Sequence, residues 1–143
     1  MKIFTSYFAS KNLDRSRHYL VQVSNSAPGG FEADAKLVEV VPNWDTIVKP
    51  YKSGEISEMT YLSRYKRQLD DNTFSVLLAL DGLTKQAAGK DIVLLCYEKS
   101  GGFCHRHILG EWLKSKKEQL RAVCPDIETY EIEELNTGQM SLF

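Results

Sequence analysis

Residues able to do chemistry are concentrated between Cys96 and His107. Two thiols, two imidazoles, one carboxylate and one guanidinium lie around a Gly101-Gly102 pair. These six side chains are Cys96, Glu98, Cys104, His105, Arg106 and His107. A connecting loop seldom needs this combination, whereas a site for an anion, a metal ion or thiol chemistry does. We therefore treat this segment as the candidate site.

The order of strand, glycine turn and helix predicts an anion-binding arrangement here. The glycines let the backbone turn closely, and the following helix begins with free N–H groups and a partial positive charge. Arg106 adds a planar guanidinium suited to phosphate or carboxylate. We expect Arg106, Gly101 and Gly102 to hold an anion such as phosphate.

Two catalytic mechanisms fit the same segment. In the first, Cys104 or Cys96 is a nucleophile, because a helix N-terminus and nearby cations favour the thiolate; His105 or His107 is its base and Glu98 orients that base. In the second, Glu98 itself is the general base or nucleophile. We take Glu98, Cys104 and His105 as the candidate catalytic residues. If the protein is an enzyme, this chemistry indicates a hydrolase or transferase.

A zinc site at Cys96, Cys104 and His107 is a weaker alternative. Cys104 and His107 share one face of the predicted helix, but Cys96-x7-Cys104 is not a usual zinc spacing and a fourth ligand is not evident. We therefore predict no cofactor and assign no metal ligand. In a purely structural interpretation, Cys96 is a small buried residue, while His105 and Arg106 are surface groups that cap the loop.

The strands that position this site are visible as apolar runs. Residues 92–97 form a continuous apolar run, which predicts a central parallel strand covered on both faces. Residues 3–7 and 19–24 also read as strands, and the second ends at Ser24 and Asn25. Ligands of open α/β sheets bind beyond the carboxyl ends of the strands. We therefore expect Ser24, Asn25 and Cys96 to face one crevice.

Helical periodicity follows from Trp44 onward. Ser57 is a plausible N-cap for a helix with an inward stripe, and a second helix begins near Asn72 and ends at Gly89. The inward residues predicted for these two helices are Met59, Leu62, Tyr65, Leu69, Phe74, Leu77, Leu78, Leu80 and Leu83. Strands that alternate with helices predict a single three-layer α/β/α domain with a small, mostly parallel sheet.

Composition narrows the class of protein. The chain has 143 residues and a net charge of −1, so no global field attracts it to DNA or to a membrane. Three cysteines in a chain of this size do not suggest a disulfide framework. No signal peptide and no membrane span are evident. We expect a reduced, cytoplasmic protein with no membrane partner, comprising a domain at residues 1–135 and a flexible tail at residues 136–143.

The candidate site resembles the signature of domain-of-unknown-function family 488. That signature is a hydrophobic strand, Cys-x-Glu, a short variable loop, and Cys-His-Arg at the start of a helix. The chain matches it at Cys96, Glu98, Cys104, His105 and Arg106. An early strand of the family usually ends in Asp-Val-Arg, whereas this chain has residues 23–25, Val-Ser-Asn, so the role of that arginine is not carried over. The resemblance implies an α/β fold with a site at this loop, and it does not supply a reaction.

The last residues are similar to the peptide that binds bacterial sliding clamps. The pattern of that peptide is Gln-x-x-Leu-Phe, and Gln139, Leu142 and Phe143 match it. The resemblance implies that the glutamine amide occupies a small subsite while the two apolar side chains anchor in a cleft. Alternatively, Leu142 and Phe143 fold back onto the core.

These observations predict a bacterial or phage accessory protein of DNA replication or repair. The tail would recruit it to the sliding clamp, and the candidate site would bind a nucleotide or nucleic acid. A non-enzymatic adaptor or inhibitor of the clamp is one alternative. A thiol or metal protein unrelated to DNA is the other.

Overall fold

A five-stranded parallel sheet forms the centre of the molecule. The computed structural model describes residues 2–97, 104–123 and 132–135. The strands are β1 (Ile3–Tyr7), β2 (His18–Gln22), β3 (Ala35–Lys36), β4 (Asp91–Cys96) and β5 (Ile132–Glu134). Their order across the sheet is β3-β2-β4-β1-β5, and every pair is parallel. The predicted α/β class with a mostly parallel sheet is confirmed.

The central position of β4 follows from its sequence. Residues 92–96 are all buried, as the continuous apolar run predicts for a strand covered on both faces. β4 pairs with β1 through Ile3 opposite Ile92, and with β2 through Leu20 opposite Val93. The carboxyl ends of β2 and β4 therefore lie side by side.

Five helices lie in the described part of the chain. They are α1 (Lys49–Lys52), α2 (Glu58–Asp71), α3 (Thr73–Ala87), α4 (His105–Ser115) and α5 (Lys117–Val123). A 3-10 turn covers Val38–Val40, where the sequence suggests a short strand, and a π-helical turn at Trp44–Val48 leads into α1. No helix among these residues is both long and apolar enough to cross a membrane.

The predicted ends of α2 and α3 are largely confirmed. The Ser57 side chain accepts a hydrogen bond from the Thr60 N–H and caps α2, and α3 begins at Thr73. The chain leaves α3 through two left-handed residues, Ala88 at φ 51° and Gly89 at φ 92°. Glycine adopts this conformation without the steric cost of a Cβ atom, which explains why the helix stops here.

The helices cover one face of the sheet in the described residues. The larger core joins that face, represented by Ile3, Val21 and Leu94, to apolar residues of α2 through α5. The opposite face carries a smaller cluster around Phe4 and Val93, against which loop residues pack: Leu13, Ala27 and Phe31. The third layer predicted from the alternation of strands and helices thus consists of loops in this part of the chain.

Three predicted core positions are exposed. Met59, Phe74 and Leu78 are 74%, 72% and 47% exposed. Tyr61 and Val76 are buried instead, so the inward faces of α2 and α3 are rotated from the predicted stripes. Residues at i and i+3 or i+4 share one face of a helix. Where apolar residues also occupy neighbouring positions, two different faces fit this spacing, and the sequence alone does not decide which of them faces the core.

Candidate functional site

A cavity of about 130 Å³ opens at the carboxyl ends of β2 and β4. Its walls come from the loop after β2, from the segment around α1, and from the junction between β4 and α4. The lining residues are Ser24, Asn25, Ser26, Pro42, Trp44, Val48, Tyr51, Lys52, Tyr61, Cys96, Tyr97, Cys104 and His105. The sheet thus brings the residues after β2 and those at the end of β4 into one crevice, as their positions in the sequence predict.

The loop after β2 is fixed by its own polar groups. The Ser24 hydroxyl donates to the Ser26 carbonyl oxygen at 2.6 Å. The Asn25 side-chain amide donates to the carbonyl oxygen of Pro42 at 3.2 Å. These bonds use the hydroxyl proton of Ser24 and one amide proton of Asn25 for structure. Both side chains still line the cavity, so Ser24 can offer a ligand its hydroxyl lone pairs, and Asn25 its amide oxygen and second amide proton.

Aromatic side chains form a large part of the cavity wall. Tyr51 and Tyr61 meet edge to face with ring centroids 5.3 Å apart. Trp44 and Tyr97 are both 45% exposed, so each presents part of its ring to solvent. The Lys52 ammonium lies 5.7 Å from the centroid of the Trp44 ring. A half-exposed indole with a cation above it is a surface on which a flat ring can stack.

Cys96 and Cys104 meet beside this wall. Cys96 ends β4 and Cys104 immediately precedes α4, and both side chains are buried. The structure places their sulfur atoms in contact, as in a disulfide, with Cα atoms 7.6 Å apart. The expectation of fully reduced cysteines did not anticipate this pairing. The sequence separation of eight residues gives no hint of it, because the fold of the intervening loop decides the distance.

His105 is held by the backbone after β2. Its Nε2 lies 2.6 Å from the Val23 carbonyl oxygen, so Nε2 carries the proton and donates. Burial lowers the pKa of His105 to about 4, against a smaller opposing effect of the Val23 bond. The imidazole is therefore neutral at pH 7, with Nδ1 as its free lone pair. His107, the alternative base, is exposed and is not among the described residues that line the cavity.

Arg106 lies behind the cysteines. Its side chain is fully buried, its Nη1 donates to the Cys96 sulfur at 3.1 Å, and its guanidinium lies 5.6 Å from the Tyr7 ring centroid. It is not among the described residues lining the cavity. The interpretation of Arg106 and His105 as surface caps is therefore wrong. Arg106 faces the Cys96 sulfur instead.

Several predicted site residues lie outside the described part of the chain. They are Glu98, Gly101 and Gly102 of the loop, and Gln139, Leu142 and Phe143 of the tail. Their predicted roles stay predictions.

The sequence also left some residues of the cavity unnoticed. Tyr51 and Lys52 on α1 and Tyr61 on α2 carry no motif, and only the packing of these two helices brings them to the cavity.

Comparison with known proteins gives one family. Residues 3–117 match the family model described as the active DUF488-N3 subclade. The chain belongs to this family. No curated protein and no solved structure matches the chain. The matched segment of this DUF488-N3 chain contains every residue that lines the cavity, from Ser24 to His105, whereas the tail at 136–143 lies beyond it. The family resemblance stated from the loop motif is confirmed at the level of the domain.

Proposed function

We propose that this protein binds a nucleotide, with the base in the aromatic cavity and the phosphate toward Lys52. The observation that carries the proposal is the wall itself: in the described part of the chain, Trp44 and three tyrosines line the cavity, together with the Lys52 ammonium group. Aromatic rings stack on any nucleobase, and such stacking contributes roughly 1–3 kcal/mol per base. The position at the carboxyl ends of parallel strands supports the same conclusion.

The size of the cavity supports a single base. A water molecule needs about 10–15 Å³ of comparable volume, so about 130 Å³ holds roughly ten water-sized groups. That matches the number of non-hydrogen atoms of one pyrimidine or a small purine, and it excludes a fully enclosed dinucleotide. The sugar and phosphate would extend outward past Lys52. Because Arg106 is buried against Cys96, the geometry favours Lys52 over Arg106 as the phosphate contact.

We further propose that chemistry on the bound nucleotide uses Glu98 as its acid or base. Glu98 follows by two residues Cys96, whose side chain lines the cavity. Cys104 is the alternative nucleophile, and it also lines the cavity. A hydrolase or transferase acting on nucleotides or nucleic acid is the class that these groups support. A Glu98→Gln variant that binds nucleotide normally but has lost turnover would support this role; unchanged turnover would refute it.

The binding test uses the intrinsic fluorescence of the two tryptophans with isothermal titration as the second readout. The ligands are the ribo- and deoxyribonucleoside monophosphates and a short single-stranded oligonucleotide. Removing the stacking surface with Trp44→Ala is expected to weaken binding roughly ten- to a hundredfold. Lys52→Gln is expected to weaken binding and to reduce its salt dependence.

Matched controls are available on the surface. Phe74→Ala removes an aromatic ring that is 72% exposed on α3, and Lys114→Gln removes a lysine on α4. Neither residue lines the cavity. Binding that is absent for every nucleotide, or equal in Trp44→Ala and Phe74→Ala, would overturn the proposal.

We propose that the tail recruits the protein to DNA through a bacterial sliding clamp. Gln139, Leu142 and Phe143 support this partner by their types and spacing, with two apolar anchors after an amide. The test is binding of the full chain to a purified clamp, with Leu142→Ala/Phe143→Ala as the variant. Micromolar binding that the double variant abolishes supports recruitment, and no binding by the full chain refutes it. Clamp binding without nucleotide binding would identify a non-enzymatic adaptor.

A further inference from the structure

We propose that Cys96, Cys104 and His105 together bind one zinc-like divalent metal ion, with an open coordination position facing the cavity. The ligand atoms of these three residues lie within 4.8 Å of one another, and all three residues are buried. Two sulfurs and one imidazole nitrogen are ligands that zinc prefers. This site goes beyond nucleotide binding and does not depend on it.

The separation of the two cysteines favours a shared ion. Their Cα atoms are 7.6 Å apart, whereas disulfide-bonded cysteines usually have Cα atoms about 4.4–6.8 Å apart. Zinc–sulfur bonds of about 2.3 Å in tetrahedral geometry put two sulfurs roughly 3.8 Å apart, so a shared ion suits a wider backbone separation. In the reduced protein, both thiols would release their protons as the ion binds, and no electrons would be transferred.

Hydrogen bonds already orient two of the three ligands. Histidines that bind metals usually donate their second ring N–H to a carbonyl or carboxylate. His105 does this through Nε2 to the Val23 carbonyl oxygen at 2.6 Å, which leaves Nδ1 for the ion. Arg106 donates to the Cys96 sulfur at 3.1 Å, so the charge of one thiolate has a partner besides the ion. The Val23 carbonyl and Arg106 are thus not ligands themselves but hold two of the ligands in place.

In the described part of the chain no fourth ligand joins these three residues, and the cavity lies at the remaining coordination position. All three residues line it, so an ion held by them would face the space bounded by Trp44 and Tyr97. Three protein ligands with one open position are the arrangement of catalytic zinc sites, whereas structural zinc sites use four protein ligands. The zinc alternative drawn from the sequence used His107 as the third ligand. The proposed site uses His105 instead, because His107 is exposed while His105 is buried.

The experiment is a cobalt titration of the full chain. The protein is reduced, stripped of metal with a chelator and kept free of oxygen, and Co²⁺ is then added. We expect one equivalent to bind, with a thiolate-to-cobalt charge-transfer band, the intense visible bands of a four-coordinate ion, and displacement by Zn²⁺. Cys96→Ser, Cys104→Ser and His105→Asn are expected to weaken binding at least tenfold or to change the spectrum.

Two matched controls separate this site from other ligands in the chain. His107→Asn changes the exposed neighbouring histidine, and Cys124→Ser changes the third cysteine; both are expected to bind Co²⁺ like the wild type. A second measurement uses the unaltered chain: bound Zn²⁺ should slow alkylation of Cys96 and Cys104 and leave that of Cys124 unchanged. It remains decisive if a variant fails to fold. No Co²⁺ binding by the reduced protein, or Zn²⁺ that leaves the alkylation of Cys96 and Cys104 unchanged, would overturn the proposal.

Discussion

The Tyr65 hydroxyl is one of the side-chain groups of α2, with Gln68 and Arg64, that hydrogen-bond to the segment leading into the cavity wall. Tyr65 is completely buried, and its hydroxyl donates to the Val40 carbonyl oxygen at 2.5 Å. Its ring also meets His105 edge to face, with centroids 5.7 Å apart. Burial raises the pKa of Tyr65 well above its ordinary value, so the hydroxyl keeps its proton as a donor. The Tyr65→Phe variant removes this bond and leaves the ring in place.

The expected loss in the free energy of unfolding follows from the Val40 carbonyl oxygen, from which the variant removes the Tyr65 donor. A buried carbonyl that loses its partner costs about 1–3 kcal/mol, so we expect a loss of about 2 kcal/mol in the free energy of unfolding. For a chain of this size that corresponds to a fall in Tm of roughly 4–8 °C. Urea unfolding followed by circular dichroism measures the free energy, and an unchanged dependence on denaturant shows that the native state remains comparably compact.

Tyr97→Phe is the matched control. It removes the hydroxyl of a tyrosine that is 45% exposed, and its effect should stay within about 0.5 kcal/mol. If Tyr65→Phe also falls within about 0.5 kcal/mol of the wild type, the carbonyl of Val40 has another donor. The hydrogen bond would then not be what holds this segment against α2, and the reasoning would be refuted.

Three further predictions concern stability. Burial, and to a smaller extent Arg17, lower the pKa of His18 below its ordinary value of 6.5. On acidification the unfolded chain therefore takes up a proton before the folded protein does. The free energy of unfolding should fall as pH drops below about 6.5, and it should fall less in His18→Asn. Ser57→Ala should cost about 1 kcal/mol through loss of the α2 cap, whereas Ser63→Ala on the exposed face of α2 should not destabilise. Leu94→Ala in the centre of β4 should cost about 2–5 kcal/mol, against less than about 1 kcal/mol for the exposed Leu78→Ala, both by urea unfolding.

The fold was predictable where buried residues form an uninterrupted apolar run in the sequence. Residues 92–96 are apolar without interruption, and this alone indicates a central parallel strand. The inward face of α4 was also predictable, because Ile108, Leu109, Trp112 and Leu113 are all buried as their spacing predicts. In both segments the local pattern and the tertiary environment agree, so the pattern suffices.

The inward faces of α2 and α3 were harder to predict for a physical reason. Tyr61 and Met59 are both large and compatible with an interior position, yet Tyr61 is 5% exposed and Met59 is 74% exposed. Tyr61 gains edge-to-face contacts with Tyr51 and Tyr65 that a methionine at position 59 cannot reach. Such contacts depend on where α1 lies, and one sequence does not reveal that position.

For the site as well, the sequence shows the residue types but not the positions of the side chains. The residue types pointed to a segment from which Cys96, Cys104 and His105 line one cavity, while the function of that cavity stays a prediction. The assignment of Arg106 to an anion rested on its charge and its place at a helix start. Its burial against the Cys96 sulfur depends on the side of α4 that packs on the sheet. The sequence therefore places this charge at a helix N-terminus without giving the direction of its side chain, and an anion role for Arg106 stays a prediction.

The role of Arg106 also links the two proposals about the site. The buried Arg106 guanidinium donates to the Cys96 sulfur at 3.1 Å, and both proposals use the sulfur chemistry of this cysteine pair. A thiolate at this position is both a better nucleophile and a better metal ligand than a thiol. If both proposals hold, this contact would support the sulfur chemistry of Cys96, while the aromatic wall and Lys52 would bind the nucleotide. Replacing Arg106 should for this reason affect the reactivity of Cys96 more than the affinity for a nucleotide, which separates the two halves of the site by experiment.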